Sequence, residues 1–325
     1  MAIGRRTLAA GTAAASFGFM LGNSAKAQAV RLRYANASNQ GNMTNQAMQI
    51  FADELRTRSN GAIDVQLVLN AGSEQSIVES VALGSMDMAL TGYSGMPEYD
   101  VLFTPSLLRD VAHGIRVFNG PLGQRAAAAF QRRYRARMIG GGSSGGFNIA
   151  LRTPIAGWQS FRGQKVRVPP FDSYPPAVQL LGGIPTPVPF NEVYLALQQG
   201  VADGLITLIN VMLANRFSEV SRNVVSNDFG VGIDKIFIGE RSWARLNAQQ
   251  QQLFTATFAD IQGPHLIQRP MREKETDLAR WRQANGPNSV ADLDQAELER
   301  IMEPLARRLV TEVFGAGAYE QIKSA

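Results

Sequence analysis

The chain has 325 residues, of which 45 % are hydrophobic and 18 % are charged, and it contains no cysteine. This composition predicts a globular protein with a sizeable core in two lobes, and it excludes disulfides, thiol nucleophiles and cysteine-ligated metals. The formal charge is +5, and removal of an N-terminal segment with Arg5, Arg6 and Lys26 would lower it to +2, so no nucleic-acid partner is expected.

The first 29 residues have the pattern of an export signal. Arg5 and Arg6 precede a short, alanine-rich apolar run, and small residues at 25–29 offer cleavage sites. We therefore expect residues 1–29 to be a signal peptide that is removed, with the mature protein in the periplasm. The paired arginines suggest twin-arginine export, and general secretion is the alternative. No run of about 18 strongly apolar residues predicts a membrane span.

The first part of the mature chain alternates predicted strands and helices with short connections. Its apolar periodicity predicts a strand at 31–37, a helix at 43–59, a strand at 62–69, a helix at 72–83 and a strand at 86–91. Strand–helix–strand units of this kind form parallel sheets. The third strand ends at Thr91, where a parallel sheet presents a loop to ligands, so Thr91 is a candidate site residue.

A stretch rich in glycine and serine at residues 138–148 follows a helical segment at 114–137. The stretch lacks the lysine of a phosphate-binding loop, and its spacing does not match the dinucleotide fingerprint. We interpret it as a crossover and hinge between two lobes, because glycine tolerates the backbone changes of a hinge. Lobe I then comprises residues 30–147 with about 233–272, and lobe II comprises 148–232 with about 273–325.

The second part of the chain again mixes strands with helices. The predicted elements are a strand at 165–168, a helix at 174–181, a strand at 186–189, a helix capped by Asn191, a strand or crossover at 205–209, a return to lobe I at 230–237, one or two long helices at 247–285 kinked near Pro264 and Pro270, and terminal helices at 293–318. Together these elements predict an α/β fold in which each lobe has a mixed sheet flanked by helices, with a long helix spanning both lobes.

Arg167 lies on the predicted strand at 165–168, on the same face as Lys165. Both basic residues could simply face water. However, two prolines and the aromatic residues Phe171, Tyr174 and Phe190 follow, and these suggest the wall of a crevice. A guanidinium in a crevice can bind a carboxylate through two parallel hydrogen bonds.

Other polar residues give weaker signals. His113 and His265 lie far apart, without acids at a metal-ligand spacing, so neither a metal nor a cofactor is expected. Basic residues within 132–137 lack the aromatic partners of a nucleic-acid surface. Glu192 and Asp203 could form an acid/base pair, but a helix start and a turn are natural structural places for them, and no nucleophile accompanies them.

The segments FRGQKVRVP and LGGIPTPVPFNEVYLALQQGVADG resemble the signature of solute-binding proteins of tripartite ATP-independent periplasmic (TRAP) transporters, the DctP-like family. Further segments agree over nearly the whole mature chain: FADELRTRSNGAIDVQLVLNAG, GSEQSIVESVALGSMDMAL and SWARLNAQQQQLF. The resemblance implies a two-lobe, type II-like periplasmic binding protein fold that closes over an organic acid. It also implies delivery of that acid to membrane permease subunits; we expect the protein to be a monomer and not an enzyme.

The resemblance assigns roles to individual residues. It implies that Arg167 binds the ligand carboxylate and that Phe190 lines the pocket. Pro170 occupies a position that is often a polar contact. Thr207 stands where an asparagine often contacts the ligand.

Two departures from the family pattern bear on the ligand. Many members have a second arginine at the position of Phe147, and Arg152 is nearby but out of register, so its role stays open. The segment Leu205–Leu208 is more apolar than usual. We therefore predict a monocarboxylate with an apolar or aromatic body over a dicarboxylate or sialic acid. The alternatives are a secreted enzyme acting on a small carboxylate and a ligand-binding partner of a membrane sensor.

Overall fold

The computed structural model describes residues 1, 29–38, 43–143 and 145–325. The predicted signal peptide and its paired arginines therefore lie almost wholly outside the described residues. In the described part, no helix is long and apolar enough to cross a bilayer.

The strands of the structure are β1 (Val30–Ala35), β2 (Ile63–Val68), β3 (Met88–Thr91), β4 (Ala136–Gly142), β5 (Gly146–Leu151), β6 (Lys165–Val168), β7 (Ile184–Pro187), β8 (Gly204–Leu208), β9 (Asn223–Val225), β10 (Gly230–Val231), β11 (Asp234–Gly239) and β12 (Val290–Ala291).

The α-helices are α1 (Met43–Arg58), α2 (Glu74–Leu83), α3 (Pro97–Asp100), α4 (Val111–Asn119), α5 (Pro121–Tyr134), α6 (Tyr174–Leu180), α7 (Val193–Gln198), α8 (Ile209–Ala214), α9 (Glu240–Trp243), α10 (Ala248–Ile261), α11 (Arg269–Asn285), α12 (Gln295–Phe314) and α13 (Ala318–Ser324). A π-helix at Gln262–Gln268 joins α10 to α11.

The helices begin and end at residues with recognisable capping roles. Ser73 caps α2 by accepting a hydrogen bond from the Ser76 backbone N–H, and Gly84 ends that helix in the left-handed conformation at φ 83°. Pro121 begins α5, directly after Gly120. The helical segment predicted at 114–137 is therefore divided in two at Gly120 and Pro121, where its break was expected.

The strands form two mixed sheets. The first sheet has the order β2-β1-β3-β11-β4, in which β1 pairs parallel with β2 and β3, and β11 is antiparallel to both of its neighbours. The second sheet has the order β12-β9-β5-β8-β6-β7, with β10 pairing antiparallel to β5. Each sheet is covered by helices on both faces, so the predicted α/β class with two mixed sheets is confirmed.

The chain leaves the first sheet after Gly142, enters the second at Gly146 and returns between Val231 and Asp234. Most of the glycine-rich stretch is therefore strand, because its residues belong to β4 and β5 instead of a loop. A Cβ on Gly140 would lie 2.5 Å from the Phe258 ring, and one on Gly141 would lie 2.9 Å from Ile233. Close packing of neighbouring side chains requires these glycines.

A long helical segment connects the two halves. Helix α10 packs on the first sheet through Phe254 and Phe258, and α11 packs on the second through Leu278 and Trp281. The predicted kinks at two prolines correspond to the π-helix at the join, whose Leu266 carbonyl accepts a hydrogen bond from the crossover residue Ser143.

The packing of the C-terminal helices differs from the expected lobe boundaries. We assigned residues 273–325 to lobe II, and the first half of α12 does pack there, through Leu298 and Met302. The second half of α12 and helix α13 instead pack against the core beside the first sheet, through Val310 and Ile322. The terminal helices were misassigned because their apolar periodicity does not indicate which sheet they cover.

Candidate functional site

Arg167 lies on β6, the strand next to the edge strand β7 of the second sheet. Strand β6 pairs with β7 and β8, and Arg167 is opposite Thr186 on one side and Leu205 on the other. Only 5 % of its surface is exposed. Its Nε donates to the Val188 carbonyl at 3.1 Å and its Nη1 to the Ile206 carbonyl at 3.4 Å. The structure therefore excludes the alternative that Arg167 simply faces water.

The charge of Arg167 has no opposite charge beside it. Among the described residues, no carboxylate lies within 4.0 Å of its guanidinium. Burial lowers the pKa of Arg167 to about 10. A guanidinium has five N–H donors, and two hydrogen bonds to carbonyls leave donors over for a further acceptor. A buried arginine of this kind is suited to bind an anion.

Phe190 lies beside the guanidinium. It begins a short 3₁₀ turn at Phe190–Glu192, and its ring centre is 6.0 Å from Arg167 Cζ, at the outer limit of a cation–π contact. The side chain is 43 % exposed and meets Phe217 edge-on. Phe190 therefore offers an open aromatic surface next to the buried charge.

Thr207 shares a sheet face with Arg167. Leu205 is the β8 partner of Arg167, and side chains two residues apart on a strand point to the same side. Thr207 is buried and pairs with Asn148 of β5. The structure thus brings Arg167, Phe190 and Thr207 to one side of the second sheet.

Phe147 lies on the opposite face of this sheet. It pairs with Leu208, one residue beyond Thr207, and its side chain belongs to an aromatic cluster formed by Tyr93, Phe103, Phe147, Phe171 and Tyr174. The rings of Phe103 and Phe171 stack at 4.3 Å with an interplanar angle of 13°. This cluster joins the loop after β3 to the segment after β6, so it lies between the two halves.

Sequence reasoning placed Tyr93 in the loop after the third predicted strand, but it did not identify Phe103 as part of this region. Phe103 lies in an apolar stretch that reads as ordinary core, and no local pattern distinguishes a ring that meets the other half of the molecule. Its contact with Phe171 depends on the tertiary fold.

Arg152 and Pro170 are both exposed. Arg152 is exposed, and its backbone N–H donates to the Asp203 carbonyl, at the end of β8 remote from Thr207. The structure therefore does not bring Arg152 together with the other candidates. Pro170 is an exposed residue just beyond β6.

Thr91 ends β3 in the first sheet, where it is fully buried opposite Lys235. Its Oγ1 has no hydrogen-bond partner among the described residues. Thr91 therefore belongs to the half of the molecule that does not contain Arg167, so a ligand between the two halves could contact both residues.

The remaining polar candidates have structural contacts. The Asp203 carboxylate accepts the Lys165 backbone N–H at 2.9 Å, and Glu192 is exposed. His113 is buried, with Nδ1 accepting the Arg109 N–H and Nε2 2.7 Å from the Ile322 carbonyl. Within the described ranges, no group of histidine and acid side chains is arranged to hold a metal ion.

Comparison with known proteins identifies the family. Residues 34–312 match the bacterial extracellular solute-binding protein family 7, DctP. A solute-binding protein of Roseobacter denitrificans is 28 % identical over 74 % of this chain and 75 % of its own length. The sialic acid-binding periplasmic protein SiaP of Vibrio cholerae is 24 % identical over 85 % of this chain and 87 % of its own.

The fold agrees with solved structures of the same class. A TRAP periplasmic solute-binding protein from Xanthobacter autotrophicus with bound β-D-galacturonate superimposes with a TM-score of 0.79 at 24 % identity, over 90 % of this chain and 99 % of that one. A TRAP periplasmic solute-binding protein from Desulfovibrio salexigens with bound orotic acid superimposes with a TM-score of 0.80 at 20 % identity. The match covers 91 % of this chain and 98 % of that one. The chain therefore has the fold of these TRAP periplasmic solute-binding proteins and belongs to the bacterial extracellular solute-binding protein family 7, DctP.

Proposed function

We propose that the protein captures an organic acid with one carboxylate between its two halves and delivers it to membrane permease subunits. The buried guanidinium of Arg167, with no carboxylate of the described residues beside it, is the observation that supports this most strongly. Its planar set of N–H donors matches the two oxygens of a carboxylate, and a ligand carboxylate would supply the missing opposite charge. The family consists of transport proteins, which argues against the enzyme alternative.

The proposed ligand has a single carboxylate and an apolar or aromatic body. Phe147 occupies the place of a second arginine and packs among aromatic rings, so Arg167 is the one buried arginine among the described residues. Leu205, an apolar residue of the segment Leu205–Leu208, is the β8 neighbour of Arg167.

Relatives of this protein bind varied acids. The Vibrio cholerae protein is named for sialic acid and one from Rhodobacter capsulatus for C4-dicarboxylates, whereas solved structures contain D-glucuronate, orotic acid and D-erythronate. Several of these ligands carry one carboxylate, which agrees with the proposal without selecting a compound.

We propose that closure of a hinge covers the ligand. The two crossovers at 143–145 and 231–234, together with the π-helix at Gln262–Gln268, are the connections about which the halves would turn. Lobe I then contains the first sheet and lobe II the second, and residues 306–325 join lobe I. We further propose a mature monomer, exported by a signal peptide at residues 1–29 that uses the twin-arginine route.

A ligand screen tests the proposal. In a thermal-shift assay of the mature protein, monocarboxylates should raise the melting temperature, and C4-dicarboxylates should not. Calorimetry with the best monocarboxylate should show that Arg167→Ala loses about 2–5 kcal/mol of binding, the range for removal of one partner of a buried charge pair. Stabilisation by dicarboxylates alone, or unchanged affinity in the variant, would contradict it.

A further inference from the structure

Asn148 is a fully buried amide on β5. Its Nδ2 donates to the backbone carbonyls of Val225, Ser226 and Asn227, at 3.1, 3.4 and 3.2 Å. Carbonyl oxygens accept hydrogen bonds only from the NH₂ end of an amide, so these three contacts establish which end of the side chain is the nitrogen and which is the oxygen. The side chain of Asn148 is therefore held in one orientation.

The amide oxygen of Asn148 has no hydrogen-bond partner among the described residues. Thr207 lies directly opposite on β8, yet its hydroxyl does not donate to this oxygen. A buried acceptor without a partner is unfavourable, because it has lost its hydrogen bonds to water and has gained none in the fold. Asn148 Oδ1 thus needs a donor that the described part of the chain does not supply.

This oxygen is directed to the part of the sheet that holds Arg167. Strand β5 lies between β9 and β8, and Nδ2 points to the carbonyl at the end of β9, so Oδ1 lies on the side of β8. Asn148 pairs with Thr207 of β8. Arg167 pairs with Leu205, two residues before Thr207, so the three polar side chains project from the same face of the sheet.

One small molecule can contact both the guanidinium and the amide oxygen. Arg167 Nη1 donates to the Ile206 carbonyl at 3.4 Å, so the guanidinium extends across to β8. Asn148 is on the next strand, and neighbouring strands are about 4.8 Å apart. A carboxylate bound to Arg167 would therefore place the carbon atom next to it, and not the far end of the molecule, beside Asn148 Oδ1.

A neighbouring carboxylate on this face is already paired. A Cβ on Gly146, two residues before Asn148, would lie 2.1 Å from Asp228 Cγ, so the Asp228 carboxylate covers this position. Asp228 Oδ1 is 2.9 Å from Lys274 Nζ, which balances its charge. A ligand carboxylate would balance Arg167 in the same way. An ammonium group on the ligand would then be a buried charge without a partner, so the expected donor is a neutral hydroxyl.

We propose that Asn148 Oδ1 accepts a hydrogen bond from a hydroxyl group on the carbon next to the ligand carboxylate, so that the ligand is a 2-hydroxy acid. This assignment rests on the proposed function, because it takes Arg167 as the carboxylate site. It narrows the ligand class from monocarboxylates with an apolar or aromatic body to those that also carry this hydroxyl. Asn148 is then the residue that determines specificity at that carbon.

The test compares acids that differ only by this hydroxyl: propionate with lactate, hexanoate with 2-hydroxyhexanoate, and 3-phenylpropionate with 3-phenyllactate. Both enantiomers of each hydroxy acid are used. Calorimetry on the mature protein should show that in at least one pair the hydroxy acid binds about tenfold more tightly, the effect of one hydrogen bond to an otherwise unpaired acceptor. As a positional control, 6-hydroxyhexanoate should bind no more tightly than hexanoate.

Variants assign the preference to the amide oxygen. Asn148→Leu, which keeps the size but removes the acceptor, and Asn148→Ser, which shortens the side chain, should each bring the affinity ratio of that pair close to one. The control is Asn227→Ala. Asn227 lies in the loop that Asn148 holds, and both ends of its own amide bind Leu293, so this variant loosens the loop but keeps the acceptor. It should retain the parent ratio.

Three results overturn the assignment: a ratio near one in every pair, a preference that persists in Asn148→Leu, or no measurable binding of any hydroxy acid. An equal loss of preference in Asn227→Ala would also overturn it, because the loop and not the amide oxygen would then set the ratio. Melting curves check the folding of each variant, and the probe pairs test the parent protein directly if a variant does not fold. Failure of the proposed function shows differently, as binding of the unsubstituted acids that survives Arg167→Ala.

Discussion

Replacing Arg167 with methionine tests whether this arginine serves ligand binding or the stability of the fold. Arg167 is as buried as core residues, yet its described partners are the carbonyls of Val188 and Ile206. An arginine held for stability would be paired with an acid. An arginine held for a ligand should weaken the unliganded protein, because its charge is desolvated without compensation.

The expected change in the free energy of unfolding follows from the pKa of Arg167. Burial lowers the pKa of Arg167 to about 10, which corresponds to a penalty of roughly 3 kcal/mol on the charged form. The pKa is lower in the folded than in the unfolded state, so the penalty is present in full below pH 10 and disappears only as the pH rises above it. Loss of hydrogen bonds to two carbonyls opposes this by about 1–3 kcal/mol each. We therefore expect Arg167→Met to change the free energy of unfolding by at most about 3 kcal/mol.

Chemical denaturation of the unliganded mature protein measures this change. The matched control is Lys235→Met, since Lys235 is equally buried but lies beside Asp100 and two further acids. Removing one partner of a buried ion pair costs about 3–5 kcal/mol, so the control should lose that much. A loss of similar size in Arg167→Met would refute the reasoning, because it would show that the guanidinium serves the fold.

Three further predictions follow from the positions of individual residues. Phe190→Ala should leave the melting temperature nearly unchanged, because the ring is 43 % exposed. In calorimetry it should weaken ligand binding by about 1 kcal/mol. A large loss of stability would contradict the assignment of Phe190 to the site. Arg152→Ala should bind ligand as the parent does, and a tenfold weaker affinity would show that Arg152 reaches the pocket. Burial by itself would raise the pKa of Asp87, but hydrogen bonds from Arg33 and Ser242 bring this pKa below its ordinary value. The ionised Asp87 therefore stabilises the fold at neutral pH, and this stabilisation is lost as the pH falls through the pKa of the folded state. Acid titration of stability should therefore be shallower in Asp87→Asn, and equal slopes would rule this out.

Elements with a clear period were predictable from the sequence. The strand Lys165–Val168 and the helix Met43–Arg58 lie within a residue of their predicted ends, because alternation and a helical apolar stripe are local properties. The glycine-rich stretch was interpreted as a crossover and hinge, but most of its residues lie in strands. Gly140 and Gly142 are glycines because Phe258 and Leu266, distant in sequence, leave no room for a larger side chain.

The candidate site, too, was predictable from the sequence only in part. Arg167 and Thr207 were identified from a motif, and strand register places them on one sheet face. Phe147 was proposed for the same pocket, but its side chain faces the other side of the sheet, since one residue along a strand reverses the direction of a side chain. The contacts of Glu74 with the backbone of Gly92 and Tyr93 were not predicted, because only the tertiary fold brings the start of α2 to the loop after β3.

The central claim is that Arg167 holds the carboxylate of an organic acid. Native mass spectrometry of the protein purified after export, followed by denaturing release, identifies a small molecule that remains bound. We predict that the parent protein releases an acid with one carboxylate and that Arg167→Met, folded and exported equally well, releases none. The same acid recovered from both proteins, or a dicarboxylate from the parent, would contradict the account.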